Sequence, residues 1–151
     1  PGHTADHLCL YSPELGIFLS GDHVLPTITP HIGGHSGATE DPLKRFIESL
    51  DAVAQLEGVK QVLPAHGHPF QDLRKRTEAI KEHHDERLQS LRQIGARLGR
   101  ASVTEFSREL FPERSWGMMA ESETYAHLEH LRLARQAERY PEEGKLIYVV
   151  R

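Results

Sequence analysis

Residues 17–23 read Ile-Phe-Leu-Ser-Gly-Asp-His (IFLSGDH): an apolar run that stops at a glycine, with an acid and an imidazole directly behind it. Working backwards, Ser12-Pro13-Glu14-Leu15-Gly16 is a turn, and His7-Leu8-Cys9-Leu10-Tyr11 is a second β-type run, so residues 7–21 read as a β-hairpin. Working forwards, residues 22–41 hold two Pro, three Gly and no clear period, which marks a long loop of the kind that usually carries function. Asp41 then serves as an N-cap with Pro42 at the first helical position. Leu43, Phe46, Ile47, Leu50, Val53 and Ala54 form one apolar stripe, and Gly58 closes the helix. Val59-Lys60-Gln61-Val62-Leu63-Pro64 is a short strand running into a turn at Ala65-His66-Gly67. A helix between two strands predicts a crossover and a layered α/β arrangement.

The character changes after residue 70. Residues 1–70 carry 3 Lys/Arg against 8 Asp/Glu and hold seven of the eleven histidines. Residues 71–151 carry 15 against 14. Neither part is basic enough to predict nucleic-acid binding from charge alone. A single cysteine, Cys9, rules out an intrachain disulfide and points to a reducing, cytoplasmic setting; packing is its expected role. No apolar stretch is long enough to span a bilayer, and no signal peptide is evident.

Residues 72–98 read as one long helix with an interrupted stripe of Leu73, Ile80, Leu88, Leu91 and Leu98. Ser102 and Glu105 stand in capping-box spacing before a helix that Pro112 stops. Residues 122–140 read as a further helix stopped by Pro141, and Glu142 to Val150 as a final strand. Three helices and then a strand give a winged-helix-like order, with the usual second wing strand absent. The expected domains are residues 1–72 and residues 73–151, the second made of a linker helix and this helical tail.

Three stretches put a metal-binding side chain at a strand end or in a tight glycine turn: Pro1-Gly2-His3-Thr4, Ser20-Gly21-Asp22-His23 and Pro64-Ala65-His66-Gly67. Glycine lets the backbone approach an ion closely. Imidazole and carboxylate suit zinc and similar divalent ions, and one carboxylate can bridge two of them. Each stretch alone is most simply a turn; three in order, each with strand context, favour a site.

In that order, PGHT, LSGD and LPAHG resemble the third, fourth and fifth metal motifs of the metallo-beta-lactamase superfamily. The GHT-x-DH opening and the helical tail are similar to its beta-lactamase-like protein 2 group. The resemblance implies an α/β fold: the second half of an αββα sandwich followed by a winged-helix-like tail. It implies His3 as a ligand of metal site 1, His66 as a ligand of site 2, and Asp22 as the bridging, catalytic aspartate. It implies two zinc ions in a full-length protein and hydrolysis of an ester, thioester or phosphodiester. The family's H-x-H-x-D-H motif is not in these 151 residues. The chain is therefore expected to be a fragment lacking an N-terminal half, with partial or no metal occupancy, an inactive site, and an uncovered sheet that favours homo-oligomers.

Asp6 is a candidate for an outer-shell role and His7 for an outer-shell or packing one; His23 either reaches a pocket or points away, and His31 and His35 are candidates for substrate contact or solvent exposure. His7 lies four residues from His3 but lacks the acid of a zincin helix. His68 reads as a turn residue, and His127 and His130 as exposed helix histidines. The rival function is a winged-helix-like module that binds RNA or a protein partner. Arg132, Arg135 and Arg139 lie close together on the expected last helix, where a solvated face is the simpler reading.

Overall fold

A computed structural model describes residues 3, 4, 6–34 and 41–151. The fold is mixed α/β, and its contacts separate into two compact units: Pro1–Ile32 with Lys44–His83, and Gly33–Leu43 with His84–Arg151.

In the first unit, β1 (Leu10–Ser12) and β2 (Ile17–Gly21) form the expected antiparallel hairpin, and β3 (Gln61–Pro64) lies parallel to β2. The intervening helix α1 (Pro42–Ala54) begins at the proline predicted to start it. Side chains alternate across a strand, so Phe18 and Val62, paired in register, are both buried, with Phe46 and Leu50 of α1 buried in the same unit. Leu10 and Leu19, also paired, face the other way and stay exposed, as does Leu8. The register of β2 against β3 slips between Leu19 and Gly21, so the chain bends out of the sheet at the sequence Ser20-Gly21-Asp22.

Helix α2 (Leu73–Leu98) carries a stripe with no interruption. Thr77 and His84 are buried at the positions between Leu73, Ile80 and Leu88. Hydropathy alone reads these two as gaps, because a buried polar side chain with a partner looks like a solvent position.

The second unit corrects the tail in two places. Beyond α3 (Val103–Leu110), capped by the predicted Ser102–Glu105 box, α4 runs over Met118–Leu133 and not 122–140. Residues Ala137–Glu142 form β5, a strand that pairs with β6 (Lys145–Val150). A third strand, β4 (Arg100–Ser102), completes the order β4-β6-β5. The second hairpin strand is therefore present, and the tail is not purely helical. Arg135, at φ 61°, turns the chain after α4. Glu143 and Gly144, at φ 47° and 76°, make the two-residue hairpin turn that positive φ at both positions requires. Pro141 misled the sequence reading. It pairs with Leu146, one position beyond the turn-flanking pair Glu142–Lys145. In an antiparallel ladder that is a non-hydrogen-bonded position on an edge strand, where a missing N–H costs no ladder bond. No helix among the described residues is long and apolar enough to cross a membrane.

Candidate metal centre

The strand-end bend of β2 builds the site. Gly21 has φ 54°, and a Cβ there would lie 2.7 Å from His7 Nε2. A side chain at position 21 is thus excluded twice, by backbone conformation and by the imidazole packed against it. One residue on, Asp22 projects between two histidines from other segments. Its Oδ2 is 4.0 Å from His3 Nε2 and its Oδ1 is 3.4 Å from His66 Nε2. The structure thus brings together the three residues picked as ligands, with one carboxylate oxygen turned to each ring.

Three details decide what this cluster can do. His3 Nδ1 lies 3.0 Å from the His31 carbonyl oxygen. A carbonyl only accepts, so Nδ1 carries a hydrogen, which leaves Nε2, the nitrogen that faces Asp22, as the one available to a metal. This is the outer-shell arrangement that orients metal-bound histidines. Second, Asp22 Oδ1 is shut off from solvent and has no hydrogen-bond partner among the described residues, although the side chain as a whole is 30% exposed. A buried carboxylate oxygen without a donor is costly unless a cation meets it. Third, two donors sharing one tetrahedral zinc at ordinary bond lengths lie about 3.4 Å apart, the spacing of the His66–Asp22 pair. The His3–Asp22 pair is wider. The donor set fits divalent ions in kind, with two protein donors on each side where a catalytic zinc takes three. Among the described residues there is no group of three or more His, Cys, Asp or Glu side chains that could hold one ion.

The remaining candidates take other places. His7 sits behind the bend: its Nε2 accepts from the Asp22 backbone N–H at 3.0 Å, and burial lowers its pKa, favouring the neutral ring. His23 is buried, with Nε2 3.1 Å from Ser49 Oγ and its ring edge-on to Phe46. Burial lowers its pKa to about 4. It faces the core and not an open pocket. His31 contributes its backbone carbonyl to His3. Asp6 is exposed, as is His68. His35 lies outside the described residues, as do Pro1 and Gly2 of the first motif.

Two groups escaped the sequence reading. His127 is not an exposed helix histidine: it is fully buried against His84, with a 3.0 Å ring-nitrogen contact. Its Nδ1 donates to the Glu123 carbonyl at 2.8 Å, and burial lowers its pKa to about 4. His130 pairs with Asp41 at 2.9 Å. Of the three arginines read as a solvated face, Arg135 is exposed and lies beyond α4, while Arg132 and Arg139 are tied to an acid. Buried Glu129 accepts from Arg132 at 2.8 Å, from Arg139 at 3.0 Å and from the Tyr148 hydroxyl at 2.6 Å. Burial raises the Glu129 pKa, but the hydrogen bonds from Arg132 and Tyr148 outweigh it and leave the group below the ordinary carboxylate range. The signal that could have found this network is the spacing of Glu129 and Arg132, one helical turn apart on α4.

No protein-family model matches the chain. It is similar to the lactamase-like protein nscB of Aspergillus fumigatus, 29% identical over 126 residues that make up 74% of this chain and 36% of that protein. The counterpart from Trichophyton rubrum is 32% identical over 87 residues, 58% of this chain and 24% of the relative. Among solved structures, a metallo-beta-lactamase family protein from Thermus thermophilus superposes with a TM-score of 0.87 at 36% identity, covering 100% of this chain and 47% of that one. A beta-lactamase domain protein from Burkholderia ambifaria gives 0.88 at 31%, covering 98% and 45%. The chain spans about a third of the first curated relative and just under half of each solved one. By sequence and by fold, the chain belongs with the metallo-beta-lactamase family and matches the C-terminal part of its longer relatives.

Proposed function

We propose that this chain carries the C-terminal share of a two-metal hydrolase site. The observation that carries the reading is the placement of Asp22, one oxygen toward His3 and the other, buried and unbonded, toward His66. Asp22 would hold an ion on each side, and His3 and His66 would anchor one each, His3 with its tautomer set by the His31 carbonyl. Such ions supply Lewis acidity, which polarises a carbonyl or phosphoryl group and acidifies water toward neutral pH. The substrate class is an ester, thioester or phosphodiester. The remaining ligands would come from chain outside these 151 residues. The exposed leucine face of β1–β2 supports the same view, since apolar sheet faces are ordinarily covered.

The tail is read as winged-helix-like on its element order, α2-β4-α3-α4-β5-β6, with β5–β6 as the wing. RNA binding through this tail has less support, because Arg132 and Arg139 are committed to Glu129.

The test is a panel of thioester, lactone and phosphodiester substrates presented to the full protein. Hydrolysis of at least one is expected to stop on chelation and return with Zn²⁺ or Mn²⁺. Hydrolysis that survives complete metal removal contradicts the proposal.

A further inference from the structure

Asp22 is aimed by its backbone, and its backbone is held by a short circuit of side chains that the metal reading leaves unused. Its N–H donates to His7 Nε2 at 3.0 Å. A nitrogen that accepts carries no hydrogen, so the neutral His7 ring holds its proton on Nδ1. That nitrogen points to Cys9 Sγ, 3.9 Å away, and the Cys9 thiol in turn donates to the Ser20 carbonyl at 3.4 Å. The circuit starts at residue 22 and ends at residue 20. It therefore clamps both ends of the bend at Gly21, the residue whose missing side chain makes room for the His7 ring. The neighbouring Gly21 carbonyl accepts from Ala65 N–H at 2.9 Å, which ties the same bend to the segment carrying His66.

We infer that His7 is a positioning residue: acting through the Asp22 amide, with Cys9 fixing its tautomer, it sets the direction in which Asp22 presents its two oxygens to His3 and His66. This rests on the reading of Asp22 as a metal ligand. His7 itself touches neither ion nor substrate. Its role is to keep the carboxylate splayed between two rings in place of rotating into solvent.

The chemistry of the acceptor makes the inference specific. Glutamine places an amide oxygen near the position of Nε2 and can accept from the Asp22 N–H. Asparagine ends near the position of Nδ1 and falls short. Leucine fills the space and accepts nothing. In the full protein, Zn²⁺ or Co²⁺ affinity is expected to drop about 10–100-fold in His7→Leu and His7→Asn, the range typical of a lost outer-shell partner. His7→Gln is expected to stay within about threefold of wild type on the same outer-shell reasoning. The Co²⁺ absorption spectrum is expected to change in the Leu and Asn variants and to be restored in the Gln variant, a pattern that a general packing role would not give. Should His7→Leu fail to fold, the Asn–Gln comparison carries the test. A metal-free readout stands beside it: long-range ¹H–¹⁵N spectra are expected to show His7 protonated on Nδ1 and bare at Nε2. Equal affinity across the three variants, or a proton on Nε2, overturns the inference. Asp22→Ala separates the two levels. If it removes metal binding while His7→Leu leaves it intact, only the positioning role fails. If Asp22→Ala leaves metal binding intact, both fail.

Discussion

Two carboxylates in this chain have opposite surroundings. Glu129, in the second unit, is buried and saturated: two arginines and a tyrosine hydroxyl meet its oxygens. Asp22, in the first, keeps a partly exposed side chain, faces two imidazoles, and has one oxygen that is out of solvent with no hydrogen-bond donor among the described residues. A carboxylate whose lone pairs are all spoken for holds a fold together. One that is aimed and left unbonded is built to receive something. The histidines divide in the same way. His84 and His127 meet ring to ring inside the second unit, while His3 and His66 turn their Nε2 atoms toward Asp22.

The largest stability effect should fall on the saturated acid. Glu129→Ala removes the common acceptor of Arg132, Arg139 and Tyr148, and breaking a buried ion pair from one side costs about 3–5 kcal/mol. Urea unfolding measures it. A loss below about 1 kcal/mol, the range of surface pairs, would erase the distinction between the two acids.

The buried imidazole pair comes next and is read through pH. His127 has a folded-state pKa of about 4 against an ordinary 6.5, because burial disfavours its charged form. Between those values the unfolded chain binds the proton that the folded chain refuses. Stability is therefore full above about pH 6.5, falls as pH drops toward 4, and levels off below, with a total loss of about 3 kcal/mol. Neighbouring Glu123 works against the shift, and Arg87 and His130 reinforce it. Stability measured from pH 7 to pH 4 in wild type and His127→Phe should show the variant with the flatter profile. Parallel profiles would mean that His127 is not the group responsible.

The smallest stability effect belongs to Asp22. With no hydrogen bond to lose at Oδ1, Asp22→Ala should change the metal-free unfolding free energy by less than about 1 kcal/mol, as for most positions without a spent polar contact. A large loss would make Asp22 a structural acid like Glu129.

What could be read from the sequence follows the same division. The first unit's strands, the start of α1, the Ser102–Glu105 cap and the convergence of His3, Asp22 and His66 were legible because local chemistry marks them: glycine turns, capping residues, and a ligand type beside a glycine in each of three motifs. The second unit was less so. Strand β5 was hidden because Ala-Glu-Arg-Tyr carries helix-compatible residues, and because Pro141 reads as a stop unless its edge position is known. Thr77 looked like a break in the stripe because its hydroxyl is satisfied within its own helix, by the Arg74 carbonyl, and His84 because its partner His127 lies 43 residues away. Arg132 and Arg139 looked like a solvated face because the burial of their shared acceptor Glu129, which also takes the Tyr148 hydroxyl 19 residues on, does not show in the local sequence. Pairing across long sequence separations leaves no periodic trace, so buried polar networks are what a linear reading loses.

The central claim is that Asp22 stands between two histidines to hold metal. Its most direct test is a Zn²⁺ titration, by calorimetry, of the full protein with Asp22 intact and with Asp22→Ala, both checked for equal folding. The account predicts that the variant's affinity falls by at least about 100-fold, beyond the range of a lost outer-shell partner, with a lower stoichiometry. Equal affinity and equal stoichiometry in the two proteins would contradict it.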